Sequence, residues 1–84
     1  MMHVLLIYDI ENDKARTKIA TACQDYGLDR VQFSAFAGRL SRNHQQELML
    51  KVDSILKDAK GARQVSLIPI CEKDWQSRLE VGDA

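Results

Sequence analysis

Cysteine is scarce in this 84-residue chain, represented only by Cys23 and Cys71. Cys23 falls inside a helical pattern and Cys71 in a late loop, with no CxxC and no secretory signal. Both are therefore expected to be free thiols rather than parts of a disulfide framework. His3 and His44 are the only histidines, and they lie too far from the cysteines in sequence for zinc-ligand spacing. Pro69 is the single proline, and no Gly/Ser linker, internal repeat or low-complexity stretch marks a domain boundary. Long apolar runs are missing too. The segment Met1 to Ile10 is too short to span a bilayer and ends in acids rather than a small-residue cleavage site. A cytoplasmic location and no membrane partner are the expectation. There is no Gly-rich phosphate loop, and an excess of basic charge, the usual mark of a nucleic-acid binder, is absent because the net charge is zero.

What remains is one small domain spanning residues 1–84. A chain this short buries only roughly 60–65% of the surface its unfolded form exposes, so its stability is marginal without help. With disulfides and zinc set aside, a homodimer is the expected remedy.

The distribution of charge says more than its sum. Residues 1–13 carry Asp9, Glu11 and Asp13 and no base. Residues 14–42 carry Lys14, Arg16, Lys18, Arg30, Arg39 and Arg42 against only Asp25 and Asp29. A basic block directly after an acidic strand end suits a phosphate-bearing ligand beside a cation-binding carboxylate. An ordinary solvated helix face accounts for the same residues.

Val4 to Tyr8 is a continuous apolar run, too short for a helix, and predicts a central strand buried on both faces. Asn12 or Asp13 can cap a helix whose apolar stripe is Ala15, Ile19, Ala22, Cys23 and Tyr26, with Gly27 as a left-handed terminator. Leu28 to Leu40 has strand composition and predicts two short strands, Asp29–Gln32 and Ser34–Arg39, with a bulge or bend at Gly38. Ser41 can cap a second helix with Leu48, Val52, Ile55, Leu56 and Ala59 inward and Gly61 at its end. Gln64 to Ile70 predicts another strand, and Cys71 to Asp83 a polar tail able to add a short edge strand. The order βαββαβ predicts a ferredoxin-like α+β sandwich, two helices on one face of an antiparallel four-stranded sheet. The tail, residues 72–84, has no place in that unit. It is expected to pair with the sheet edge of a second copy.

Asp9 is the leading candidate for chemistry, because its backbone is held by a buried strand while its carboxylate projects from the sheet end. Mg²⁺ (or Mn²⁺) accepts one or two carboxylates and completes its shell with water and substrate phosphates. One Asp per protomer makes a poor site, whereas two copies meeting across a dimer axis make a plausible one. Glu11 and Asp13 can add oxygens, though capping explains Asp13 better. The competing explanation for Asp9 is a strand-end residue accepting loop N–H bonds. Phe33, Phe36 and Tyr26 fit a core, although one exposed Phe beside Arg30 can stack on a base.

The combination Tyr8-Asp9-Ile10, acids and bases through Arg16, then Tyr26-Gly27-Leu28-Asp29-Arg30-Val31-Gln32-Phe33-Ser34-Ala35-Phe36-Ala37-Gly38 resembles the CRISPR-associated protein two family. A looser match continues through Leu67-Ile68-Pro69-Ile70-Cys71-Glu72-Lys73. The resemblance implies a ferredoxin-like homodimer with its C-terminal strand docked across the interface. It also implies a role in CRISPR spacer acquisition, holding a prespacer duplex between dimers of the CRISPR integrase. Some members are described as metal-dependent endoribonucleases or double-strand deoxyribonucleases. On that resemblance Asp9 maps to the catalytic, Mg²⁺-binding acid, and Arg16, Lys18, Arg30 and Phe36 to supporting, nucleic-acid-binding positions. Lys18 stands where arginine is frequent, which keeps the charge and loses the bidentate fork. Ala37 replaces a residue that is often acidic or larger. Three functions compete: a metal-dependent nuclease, a nucleic-acid scaffold without catalysis, and a metabolite-binding regulatory domain, which the spread of cations disfavours.

Overall fold

The computed structural model describes residues 1–82. In chain order it contains β1 (Met2–Ile10), α1 (Asp13–Asp25), β2 (Asp29–Gln32), β3 (Ala35–Leu40), α2 (Arg42–Leu56), β4 (Arg63–Ile70) and α3 (Glu72–Gln76). The sheet runs β2-β3-β1-β4 with every neighbouring pair antiparallel, the βαββαβ arrangement expected. Pro69 falls on β4, an edge strand, where a residue without an N–H is tolerated.

Local chemistry explains the helix ends. Asn12, rather than Asp13, caps α1, its Oδ1 accepting from the Ala15 N–H at 2.8 Å. At the other end the Leu28 N–H donates to the Cys23 carbonyl at 3.0 Å and the Gly27 N–H to Gln24 at 2.9 Å. Gly27 has φ of +84°, so this is a Schellman closure that a β-carbon would strain. Ser41 caps α2 by accepting from the His44 N–H at 3.1 Å. That helix stops at Leu56, earlier than Gly61, and Arg63 closes it by donating to the carbonyls of Leu56 (3.2 Å) and Ala59 (2.5 Å).

Alternation along β1 sends Val4, Leu6, Tyr8 and Ile10 into the core against Ala15, Ile19, Ala22 and Cys23 of α1 and Leu48 and Val52 of α2. The expectation that β1 is buried on both faces is corrected here. The α1–α2 layer lies on one side of the sheet, and on the other side Leu5 is half-buried while Ile7 is 41% exposed. Gly38 is not a bulge either. The register slips between Arg30 and Gln32, on β2. A β-carbon at Gly38 would approach Leu28 Cδ2 to 2.7 Å, so glycine there permits close packing.

Within the single chain the tail begins as a helix. Glu72–Gln76 forms a short helix, and residues 77–82 form no strand; residues 83–84 lie outside the described residues. Side-chain contacts hold α3 to the start of β1. Trp75 stacks on His3 with ring centroids 4.4 Å apart, and Glu72 reaches His3 Nε2 at 3.1 Å and Arg39 at 2.7 Å. Within one chain these contacts, rather than pairing with the free edge of β4, hold the start of the tail.

Burial pushes the Cys23 thiol up to about 11, with Arg30 pulling weakly the other way. A thiol protonated more tightly in the folded state stabilises the fold fully below the unfolded value, 9.0, and loses that contribution as pH rises through about 11. Thermal melts between pH 8 and about 11 should therefore show a steeper alkaline loss for wild type than for Cys23→Ala. Parallel curves would exclude the thiol as the source.

Candidate nucleic-acid and metal site

Asp9 is the last outward-facing residue of β1, opposite Gln64 of β4. It lines a cleft with Ile7, Tyr8, Ser34, Gln64 and Ser66. Its strand end is anchored twice to the β2–β3 turn: the Tyr8 N–H donates to the Ser34 carbonyl at 3.0 Å, and the Tyr8 hydroxyl donates to the Phe33 carbonyl at 3.2 Å. Among the described residues the Asp9 carboxylate has no ion-pair partner and accepts no side-chain or backbone hydrogen bond. The role of accepting loop N–H bonds is thus unfilled, and the carboxylate faces solvent from a fixed backbone.

The neighbouring acids are committed elsewhere. Glu11 accepts from the Ala62 N–H at 3.1 Å, tying the end of β1 to the loop before β4. Asp13 pairs with Arg16 one turn along α1. No group of three or more His, Cys, Asp or Glu among the described residues can hold a metal ion. One chain therefore offers a hard cation a single free carboxylate, with the Ser34 and Ser66 hydroxyls and the Gln64 amide nearby. Those are oxygen donors of the kind Mg²⁺ takes, in a set that a second Asp9 would make adequate.

The basic block does not form one face. Arg16 and Arg30 line a common groove of about 530 Å³ with Tyr8, Asp13, Thr17 and Phe33. Lys14 and Lys18 are exposed on α1. Arg42 borders a different cleft at the start of α2, with Met1, Met2, Met49 and Pro69. Arg39 is occupied by Glu72 on the far side of the sheet. Helical and strand periodicity spreads residues that are close in sequence onto separate surfaces, which a linear charge count cannot show.

Phe36 requires a correction as a nucleic-acid-binding residue. It is fully buried, its ring 6.3 Å from that of Tyr8, with the Arg30 guanidinium 4.8 Å from its centroid. Phe36 therefore lies beneath Arg30, with no surface of its own open to solvent. The exposed phenylalanine is Phe33, at 78%. Sequence reasoning also missed Ser34, Gln64 and Ser66 as neighbours of Asp9. Alternation along β4, with Val65 and Leu67 against the core, already assigns Gln64 and Ser66 to the other face, but only the strand register brings them beside Asp9. No helix among the described residues is long and apolar enough to cross a membrane.

Comparison with known proteins agrees with this architecture. A "CRISPR-associated endoribonuclease Cas2 2" of Chloroflexus aurantiacus is 49% identical over 78 residues, covering 92% of this chain and 88% of its own length. A "CRISPR-associated endonuclease Cas1/endonuclease Cas2 fusion" of Thermoproteus tenax is 36% identical over 60 residues, 71% of this chain and 23% of the fusion. The crystal structure of Streptococcus pyogenes Cas2 superposes with a TM-score of 0.78 at 25% identity, covering 98% of this chain and all of that one. The family model for CRISPR associated protein Cas2 matches residues 2–78, and with these relatives it establishes that the chain belongs to the Cas2 family.

Proposed function

We propose that this protein acts in the cytoplasm as a homodimer in CRISPR spacer acquisition, binding nucleic acid together with the CRISPR integrase and hydrolysing phosphodiesters with Mg²⁺ at paired Asp9 residues. The observation that carries the proposal is the free, rigidly based Asp9 carboxylate on the open face of the sheet. That face also exposes Ile7 and Ile68, each at 41%, so a second copy covering it buries apolar surface and brings two Asp9 side chains toward one another. The tail beyond α3, with Leu79 and Val81 exposed, is then available to the partner's sheet edge. The fused relative of Thermoproteus tenax supports the integrase as partner, and the endoribonuclease relatives support phosphodiester cleavage.

Mg²⁺ (or Mn²⁺) held by the two Asp9 carboxylates would lower the pKa of a bound water and neutralise charge developing on the phosphate. The chain's own residues do the rest. Tyr8 and the β2–β3 turn hold Asp9 in place, and Arg16 and Arg30 attract the phosphate backbone. Cleavage of RNA or DNA by the purified dimer should appear with Mg²⁺ and vanish on adding EDTA, then return when Mg²⁺ is restored. Cleavage that persists in EDTA would sink the metal role.

A second reading has its own support. Among the described residues only Asp9 is a free carboxylate at this end of β1, because Glu11 and Asp13 are engaged. A duplex-binding scaffold without catalysis needs no more than that. Nucleic-acid binding without metal-dependent cleavage would favour it.

A further inference from the structure

We propose that Phe33 is the stacking platform of a subsite for one unpaired nucleotide, with Arg16 and Arg30 contacting its phosphate. The proposal rests on the nucleic-acid reading above and narrows it to strands with at least one base free of its complement.

Phe33 occupies the first position of the two-residue turn between β2 and β3, where small polar residues are usual. Its ring is 78% exposed and, among the described residues, pairs with no other aromatic ring. The backbone beneath it is unusually well held. The Phe33 carbonyl accepts from the Tyr8 hydroxyl at 3.2 Å and from Arg30 Nη1 at 2.6 Å. A large apolar ring presented to water from a rigid base loses little entropy when a flat ligand covers it.

The surroundings identify that ligand. Phe33 lines the groove of about 530 Å³ shared with Arg16 and Arg30, within the roughly 300–1,000 Å³ range of small-ligand clefts. Arg30 spends one N–H on the Phe33 carbonyl and rests over the Phe36 ring, leaving its other N–H groups for an anion. Among the described residues Arg16 is paired only with the largely exposed Asp13, a contact of the kind worth little in water. Two guanidinium groups against one carboxylate leave the groove net positive. An aromatic face beside paired arginines fits a nucleobase and its phosphate. Bases inside a duplex are already covered by their neighbours, so the platform takes only an unpaired one. Tyr8 borders both this groove and the Asp9 cleft, and the Phe33–Ser34 turn stands between them. A strand anchored at Phe33 is thereby directed toward Asp9.

The test measures anisotropy of a labelled single-stranded oligonucleotide, DNA and RNA, and of the matching DNA duplex. The proteins carry Asp9→Asn, so that no cleavage intervenes, and sedimentation reports the oligomeric state. Phe33→Ala should weaken single-strand binding about 5- to 100-fold, Phe33→Trp should preserve it, and duplex affinity should stay within about twofold. Unchanged single-strand affinity, or equal losses for both ligands, overturns the proposal while leaving the nucleic-acid reading intact. Dissociation of the dimer by Phe33→Ala also overturns it, by making Phe33 an interface side chain. If the Phe33-containing protein binds neither ligand, both the proposal and the reading beneath it fall.

Discussion

Asp9→Asn is expected to lower metal-dependent phosphodiester cleavage at least about a hundredfold, since loss of even an outer-shell partner of a metal site costs roughly 10–100-fold. The substitution is nearly isosteric and removes only the charge. Because the Asp9 carboxylate is exposed and makes no hydrogen bond or ion pair among the described residues, folding should be affected by no more than about 0.5 kcal/mol. The melting temperature and dimer mass should therefore match wild type. This separation distinguishes a catalytic acid from a structural one, because a residue that braced the strand end would lose stability together with activity. Equal cleavage by the two proteins, prepared identically, would eliminate Asp9 as a catalytic group and leave the scaffold reading.

The second large effect falls on stability. Phe36→Ala should destabilise the fold by about 3–5 kcal/mol, the range for removing a fully buried aromatic side chain. Phe36 is completely inaccessible, packs beside Tyr8 and lies under the Arg30 guanidinium, so its loss opens a cavity beneath the start of β3 and unseats a groove arginine. Small domains hold only about 5–15 kcal/mol in total, and each kcal/mol shifts the melting temperature by about 4–8 °C at this size. A drop of roughly 15–30 °C in a circular-dichroism melt is the expected result. Phe36→Leu, which keeps most of the volume, should recover much of that stability and much of the nucleic-acid affinity. A Phe36→Ala protein that melts like wild type but binds poorly would contradict the buried role and restore direct contact.

The two positions illustrate how differently residues declare themselves. The run from Val4 to Tyr8, the helical stripe from Ala15 to Cys23, the caps at Asn12 and Ser41 and the stop at Gly27 are local signals. Side-chain periodicity and backbone hydrogen-bond satisfaction act within a few residues, so α1, α2 and the antiparallel sheet were legible in advance. The tail was not. Cys71 to Asp83 has apolar residues compatible with a strand, and its first turn became a helix because Trp75 found the His3 ring and Glu72 found Arg39. Those partners come from β1 and β3, far away in sequence.

Asp9 itself was visible in the sequence as an acid ending an apolar strand, and the structure sharpened why it matters. Glu11 and Asp13 look equally available on paper, yet Glu11 accepts from the Ala62 N–H, which the fold delivers, and Asp13 sits in a local pair with Arg16 one turn along α1. The basic block looked continuous and divides among separate surfaces. Phe33 and Phe36 are chemically identical and three residues apart, and only the hairpin decides which ring is core and which meets water. By itself the sequence determined the elements of the βαββαβ unit, their order, the family and the acid at the end of β1, because those follow from short-range patterning. Tertiary structure alone decided which carboxylate is free, which arginines share a groove and which face of the sheet stays open. Charge pairing and burial depend on strand register and helix placement, which bring together residues that no local pattern connects.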